Sequence, residues 1–269
     1  MLSTYTSHKC PGLCGDGKEY DFIEVGTADH TTITQWCAHD ERNASSTCDE
    51  IGLMRKDLGS TRCARGLAVD PSLHHLEALP NLPHVQKVQG AMDECCGEQR
   101  FYFVSPENIK KHMGKYHAYF SKDPWSWKVD VMWYAGSLGS LGKPHPNLKF
   151  MLHNIGCSNL LENKVIDVYD WRWLCEKYNV GYVDIVQLDC EGKDCAILRG
   201  MLKHHRKSDW PLPRVIKFEA NSLTGEEEIQ RTLESLAAFG FKVRYRGFCN
   251  VLLERYVAGP RRRRVRWRR

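Results

Sequence analysis

The sequence predicts a doubly wound α/β fold, in which helices cover both faces of a mostly parallel seven-stranded sheet and an antiparallel hairpin closes the C-terminus. Three observations support this prediction. Short apolar runs alternate with segments of helical periodicity along most of the chain. The run at 183–188 is mostly apolar, which is typical of a parallel strand buried on both faces. Two β-rich runs flank Gly247 near the end of the chain and indicate the hairpin.

Length and charge indicate one domain followed by a basic tail. The 269 residues suit a single α/β domain with additional segments. The formal net charge is +5, but seven of the last nine residues are arginines, and the remaining 31 basic and 33 acidic residues leave a net charge of −2. We therefore expect polyanion contact only from the tail at 257–269, which is predicted to be disordered, and not from a basic face of the domain.

Cysteine usage and the N-terminus bear on the cellular compartment. The chain contains 12 cysteines, and the histidine and cysteine spacings in its first 50 residues match no common zinc motif. The N-terminus lacks the apolar core of a signal peptide, and no stretch reaches the roughly 18 apolar residues of a membrane span. If Met1 is the native start, we expect a cytoplasmic protein with reduced thiols. If the chain is a fragment of a lumenal protein, the cysteines could pair and Asn43 could carry a glycan.

In the N-terminal half, the first 19 residues are predicted to be an irregular lead-in to one domain at 20–256. Runs of β-forming residues predict the strands, and Pro71 with Ser72 marks a helix start. A charged, cysteine-bearing stretch after the first helix breaks the pattern and is predicted to be an insertion. In chain order, the predicted elements are a strand at 20–25, a helix at 31–40, the insertion at about 41–65, a strand at 65–70, a helix at 71–79 and a strand at 85–90.

The middle of the chain, at about 105–160, has no clean periodicity and is rich in tryptophan and tyrosine. We predict that it shapes the acceptor pocket or forms a lid; peripheral packing is the alternative for each aromatic side chain. Three glutamates in the first turn and Gly240 at the end delimit the last helix. The other predicted elements are strands at 99–104 and 163–169, a helix at 170–178, a strand at 183–188, a helix around 196–201, a strand at 214–219, the last helix at 224–240, and strands at 241–246 and 248–253.

Acidic residues lie at the carboxyl ends of three main predicted strands. Glu24 is at the end of the first strand, Asp70 ends the second, and Asp189 and Glu191 follow the fourth. Ligands of open α/β sheets bind outside these strand ends, so the acidic residues predict a ligand cleft. The structural alternatives are a solvated acidic helix start after the fourth strand and a helix N-cap role for Asp70.

The turn after the first strand limits the type of ligand. It contains one glycine, Gly26, so the glycine pattern of a dinucleotide site is absent and a nicotinamide-dependent oxidoreductase is disfavoured. Glu24 would repel a pyrophosphate group but suits a ligand that carries a cationic group. Asp70 is placed to accept hydrogen bonds from both hydroxyls of a ribose.

Five segments resemble, in order, those of the FkbM family of S-adenosylmethionine-dependent methyltransferases. The resemblance covers roughly residues 20–254 and implies the Rossmann-like class I methyltransferase fold. Its most specific part is the Asp-x-Glu-Gly element at 189–192. This sequence departs from the family in a longer segment between the first two strands and in Thr27–His30, which replace a second glycine. The matching segments are Asp21–Gly26, Ala68–Pro71, Val88–Ala91, Val183–Gly192 and Val215–Glu219.

By this resemblance, the expected activity is transfer of a methyl group from S-adenosylmethionine to a hydroxyl of a sugar or small natural product. The implied cofactor-binding residues are Glu24, Gly26, Thr27, Ala28, Asp29, Asp70, Pro71, Ala91, Met92 and Asp189. Among them, the resemblance places Glu24, Gly26 and Thr27 at the methionine end, Asp70 at the ribose, and Ala91 and Met92 at the adenine. Methyl transfer requires an aligned acceptor and a group that takes the hydroxyl proton. Asp189 is the first candidate for this base or for an acceptor anchor. Glu191 and Glu219 share that role or hold a divalent cation. His145 is a further candidate base, and an ordinary surface histidine is the alternative.

The competing hypothesis is a binding protein. A methyltransferase-like domain could use the arginine tail to bind RNA or another polyanion, and the same tail on an active enzyme would favour a nucleic-acid methyltransferase. In the leading hypothesis the partner is a small-molecule or glycan acceptor. The sequence predicts no transmembrane segment.

Overall fold

The computed structural model describes residues 18–27, 65–79, 81, 84–112, 135, 138–247 and 249–255. The predicted helix at 31–40, the arginine tail and nearly all of the predicted insertion lie outside the described residues. So do Ala28 and Asp29. No helix within the described ranges is long and apolar enough to cross a membrane. The seven cysteines in these ranges are free.

Eleven strands are present in the described part of the chain. The first begins at Lys18, so the predicted irregular lead-in at 1–19 is wrong for its last two residues. The strands are β1 Lys18–Val25, β2 Gly66–Asp70, β3 Val85–Gln89, β4 Ala91–Met92, β5 Gly97–Phe103, β6 Ser140–Leu141, β7 Glu162–Tyr169, β8 Val180–Leu188, β9 Val215–Glu219, β10 Phe241–Arg246 and β11 Asn250–Arg255.

Helices connect most of these strands. Residues 106–112 are also helical, and a short 3₁₀ helix spans Ser158–Leu160. The α-helices with defined ends are α1 Leu73–Ala78, α2 Pro146–Asn154, α3 Trp171–Tyr178, α4 Asp194–Ser208 and α5 Glu226–Ala237.

The main sheet has seven strands in the order β10-β11-β9-β8-β1-β2-β3. The neighbours from β9 to β3 are parallel, and β11 is antiparallel to both β9 and β10. This confirms the predicted mostly parallel seven-stranded sheet with an antiparallel C-terminal hairpin. The hairpin lies with its second strand, β11, against β9. The chain proceeds outward from β1 through β2 and β3 and then returns to β8, so the winding direction changes between β1 and β8.

A second, four-stranded sheet in the order β4-β7-β5-β6 was not predicted. The strand predictions at 99–104 and 163–169 are confirmed, and these strands pair antiparallel, with Phe101 opposite Lys164. The pairing was not predicted because the two strands are far apart in the chain. The alternation of residues along a strand indicates which side chains share a face, but not which strand pairs with it. The predicted lid region contains β6 and α2, and positions 113–134 within it lie outside the described residues.

Both faces of the main sheet are covered, which explains the nearly continuous apolar runs of its central strands. On one face, Ile23 of β1 belongs to a core that includes Trp171 from α3 and Leu198 from α4. On the other face, Phe22 packs with Leu76 of α1. Because both faces of the sheet are buried, its polar side chains are accessible to a ligand mainly at the strand ends.

Candidate functional site

The carboxyl ends of three parallel strands are joined by backbone hydrogen bonds where the winding direction changes. The N–H of Gly26 donates to the carbonyl of Val69 at 2.9 Å, and the N–H of Asp189 donates to the carbonyl of Val25 at 2.9 Å. Gly26 has φ +84°, and a Cβ added there would lie 1.9 Å from the carbonyl oxygen of Asp189. The glycine is therefore required by the backbone of the turn after β8.

Asp70 connects the turns that follow β1 and β2. The residue is 2% exposed. Its Oδ2 accepts from the N–H of Thr27 at 2.9 Å, and its Oδ1 accepts from the N–H of Ser72 at 2.7 Å. His75 Nδ1 lies 3.1 Å from the same Oδ1. The carboxylate thus satisfies two backbone donors, in addition to any role toward a ligand.

Three carboxyl groups form a cluster at the ends of β8 and β9. One oxygen from each of Asp189, Glu191 and Glu219 lies within 4.8 Å of the others. Asp189 is exposed, whereas Glu191 and Glu219 are half-buried. The side chains meet because β8 and β9 are parallel neighbours, with Val186 opposite Ile216. The structure therefore brings together the three predicted catalytic carboxylates, which we call the acidic cluster.

Glu219 has the most strongly altered protonation in this cluster. Burial, followed by the nearby charges of Asp189 and Glu191, raises the pKa of Glu219 to about 9. Its Oε2 is buried and has no hydrogen-bond partner among the described residues. Three close carboxylates cannot all ionise cheaply, so Glu219 carries a proton at neutral pH.

Asp194 is a site residue that sequence reasoning did not select. It is fully buried in the first turn of α4. Its two oxygens accept from the N–H groups of Cys190 and Glu219, each at 3.2 Å, which fixes the end of β9 against the turn after β8. Burial and the charge of Asp189 raise the pKa of Asp194 to about 7. The only sequence signal was an acidic residue at a helix start, which is equally typical of a solvated helix end.

The raised pKa of Glu219 predicts a pH-dependent stability. The folded protein binds this proton more tightly than the unfolded chain, so stability is lost as the pH rises from about 4.5 toward about 9. Asp194 acts in the same direction below about pH 7, and Glu219 continues to contribute to the loss from about pH 7 to about pH 9. We expect Glu219→Gln, which cannot ionise, to reduce the fall in melting temperature over this interval.

Thermal unfolding followed by circular dichroism at both ends of that interval measures this effect. The matched control is Glu98→Gln, because Glu98 is an exposed residue of β5 far along the chain from the cluster. The control should follow the wild type. Equal losses of melting temperature in Glu219→Gln and the wild type would contradict the assignment of the proton to Glu219.

His145 lies against the acidic cluster although it comes from the predicted lid region. Its Nε2 is 2.9 Å from Oε2 of Glu191, and the residue is only 3% exposed. Its Nδ1 accepts from the N–H groups of Asn147 and Leu148, so His145 is the N-cap of α2. The alternative of an ordinary surface histidine is therefore wrong.

The predicted cofactor residues near β1 are buried. Glu24 is 3% exposed and lies between Ala68 of β2 and Gln187 of β8 in the sheet. Thr27 is 1% exposed, and its hydroxyl has no hydrogen-bond partner within the described ranges. Pro71 is half-buried beside Asp70. These residues surround the turns after β1 and β2.

Ala91 and Met92 form β4 and are each 3% exposed. Met92 is part of the main core. The strand pairs with the end of β7, with Met92 opposite Tyr169. The side chains assigned to the adenine are thus packed inside the protein, at the junction between the two sheets.

A partly buried ion pair beside the site was also missed by sequence reasoning. Oδ2 of Asp93 accepts from Nζ of Lys193 at 2.6 Å and from Nε2 of Gln99 at 2.7 Å. Burial raises the pKa of Asp93, but these hydrogen bonds outweigh that effect and lower it overall. Since Lys193 is the N-cap of α4, the pair joins the turn after β8 to the second sheet. A pairing across 100 residues has no local sequence signal.

The arrangement combines a position at the carboxyl ends of parallel strands, three close carboxyl groups of which Glu219 has a raised pKa, and buried polar groups on the adjoining turns. Such a site can accept a proton, bind a cationic group or hold a hard cation. Comparisons of the chain with family models, with curated proteins and with solved structures found no match.

Proposed function

We propose that the protein is an S-adenosylmethionine-dependent O-methyltransferase that acts on a hydroxyl of a sugar or small natural product. Within this proposal it belongs to the FkbM type and has the class I methyltransferase fold. The observation that carries the proposal is the acidic cluster, which lies at the carboxyl ends of adjacent parallel strands next to the change in winding direction. This is where open α/β sheets bind their ligands.

The turns after β1 and β2 fit the cofactor. The unpartnered, buried hydroxyl of Thr27 is available to a polar group of a ligand. Glu24 supplies a carboxylate that favours the amino and sulfonium groups, and Asp70 lies at the second strand end, where a ribose is expected. When bound, S-adenosylmethionine supplies an electrophilic methyl group. The chain contributes orientation of the two reactants and removal of one proton.

Within the acidic cluster, Asp189 is the residue best suited to contact the acceptor. It is the exposed member, and its backbone is fixed by the hydrogen bond to Val25 and by the contact with Gly26. In the proposed mechanism its carboxylate accepts a hydrogen bond from the acceptor hydroxyl and takes the proton as the methyl group is transferred. The proton on Glu219 lowers the charge that surrounds Asp189.

The acidic cluster is also the proposed position of a divalent cation. Its three oxygens are hard ligands of the kind that Mg²⁺ prefers, and a cation there would acidify a bound hydroxyl. Cation binding requires an ionised Glu219, so Mg²⁺ affinity should rise as the pH approaches about 9. Titration calorimetry with MgCl₂ tests this, and the absence of heat in wild type at that pH would remove the cation from the proposal.

Asp70→Ala is expected to weaken binding of S-adenosylhomocysteine and to destabilise the fold. The substitution removes the ligand-facing carboxylate and leaves the N–H groups of Thr27 and Ser72 unsatisfied, at about 1–3 kcal/mol for each buried donor. Calorimetry measures the binding and urea denaturation the stability. Asp184→Ala is the matched control, because Asp184 pairs with Arg214 at 2.8 Å on β8, away from its carboxyl end. It should lose stability but keep the affinity. Unchanged affinity in Asp70→Ala would remove the ribose assignment.

The arginine tail supports the second candidate function, binding of RNA or another polyanion with or without methyl transfer to it. The seven arginines are outside the described residues, so the support comes from sequence alone. Purified full-length protein and a variant that lacks 257–269 should be screened with labelled cofactor against glycans, small hydroxylated metabolites and RNA. Salt-sensitive RNA binding that needs the tail, without cofactor binding by either protein, would favour the binding protein over the enzyme.

A further inference from the structure

The two ring nitrogens of His145 have different partners, and this difference fixes the tautomer. Nδ1 accepts hydrogen bonds from the backbone N–H of Asn147 at 3.1 Å and from that of Leu148 at 3.4 Å. A nitrogen that accepts hydrogen bonds carries no proton. The neutral ring must therefore carry its proton on Nε2, which faces Oε2 of Glu191 at 2.9 Å.

Because of this tautomer, His145 is a donor to Glu191 and has no lone pair left for a substrate. Its Nδ1 lone pair is used by the start of α2, and its Nε2–H is used by the carboxylate. The ring is 3% exposed, so water does not compete for either nitrogen. The role of general base, which the sequence suggested for His145, conflicts with both contacts.

Glu191 needs such support because its backbone is strained. The residue has φ +49°, and the following Gly192 has φ +89°. A left-handed conformation is unfavourable for a non-glycine residue, and it persists where surrounding contacts determine it. A Cβ on Gly192 would lie 3.0 Å from Cβ of Leu223, so the turn is also closely packed on its other side.

We propose that His145 is a positioning residue, which holds the carboxylate of Glu191 in the acidic cluster and leaves Asp189 as the carboxylate that meets the acceptor. This inference rests on the proposed methyltransferase function. The side chain of His145 connects α2, at the end of the predicted lid region, to the turn between β8 and α4. The distribution of roles within the acidic cluster then depends on how α2 is placed.

Two substitutions separate the two contacts of His145. His145→Asn keeps an oxygen that can cap α2, because asparagine is a favoured N-cap, but its side chain is too short to reach Glu191. His145→Gln places an amide N–H near the position of Nε2 but removes the cap. We expect His145→Asn to lose methyl transfer by at least about tenfold, and to lose less melting temperature than His145→Gln because it keeps the cap of α2. His145→Gln should have a lower melting temperature and recover part of the lost activity.

The control is His153→Asn, an exposed position in the last turn of the same helix, which should leave both quantities unchanged. A purely structural role for His145 predicts the opposite order, with His145→Gln more impaired than His145→Asn. That order, or wild-type activity in His145→Asn, would overturn the positioning role.

A readout without turnover keeps this inference separate from the proposed function. In protein labelled with ¹⁵N-histidine, NMR should detect the Nε2–H tautomer of His145 and a ring proton that exchanges slowly with water. His145→Asn assigns the signal, and Glu191→Ala should make the exchange fast. A proton on Nδ1, or unchanged exchange in Glu191→Ala, would overturn the inference. If the NMR results hold and no acceptor is methylated, the methyltransferase proposal fails while the contact between His145 and Glu191 stands.

Discussion

Asp189→Asn is expected to lower methyl transfer by about 10²–10⁴-fold while S-adenosylhomocysteine still binds, since this is the range that a positioned acid or base contributes. The asparagine side chain has nearly the same shape, and the backbone hydrogen bond from residue 189 to Val25 is retained. The variant can no longer take the hydroxyl proton. Single-turnover assays with labelled cofactor measure the reaction, and calorimetry measures binding of the product.

The control for Asp189→Asn is an exposed carboxylate outside the acidic cluster. Asp167 of β7 is exposed, so Asp167→Asn should keep both activity and binding. If Asp189→Asn retains turnover, Asp189 has no part in the proton transfer, and Glu191 becomes the next candidate for the base. If turnover and binding are lost together, Asp189 acts on the cofactor and not on the acceptor.

Gly26→Ala is expected to destabilise the protein by about 3–5 kcal/mol, a large fraction of the stability of a typical domain. Two costs add. The residue has φ +84°, which strains any L-amino acid, and the new Cβ would lie 1.9 Å from the carbonyl oxygen of Asp189. Relief of this clash has to move β1 away from the end of β8, so the acidic cluster should also be displaced.

Gly156→Ala is the control, because it introduces the backbone strain without a clash. Gly156 has φ +71°, and nothing lies within 4 Å of its added Cβ. This control should show only the conformational cost of about 1–3 kcal/mol. Urea denaturation of the two variants, with the midpoint and slope compared, measures the difference. Equal losses in both variants would mean that the close approach between Gly26 and Asp189 does not constrain the fold.

The sequence was sufficient for the parts of the fold that depend on local pattern. Apolar runs and helical periodicity predicted the parallel strands, and a turn at Gly247 predicted the hairpin, because each is a property of a few consecutive residues. The sequence also placed Asp189 and Glu219 at the ends of predicted strands, and the family resemblance made both candidates for one role, but only the structure showed that their strands are neighbours. The carboxyl ends of parallel strands share one edge of a sheet, so acidic residues that end neighbouring strands must lie close together.

Only the tertiary structure decided which other groups lie at this edge of the sheet and which carboxyl group carries a proton. The contact of His145 with Glu191 spans 46 residues, and the paired residues of β5 and β7 lie even further apart along the chain. No periodicity records such distant partners, because it reports the face on which a residue lies and not what packs against that face. The proton on Glu219 likewise follows from burial and from two neighbouring charges, which exist only when the chain is folded. The sequence by itself therefore determined the acidic strand ends, and folding decided their neighbours, their burial and their protonation.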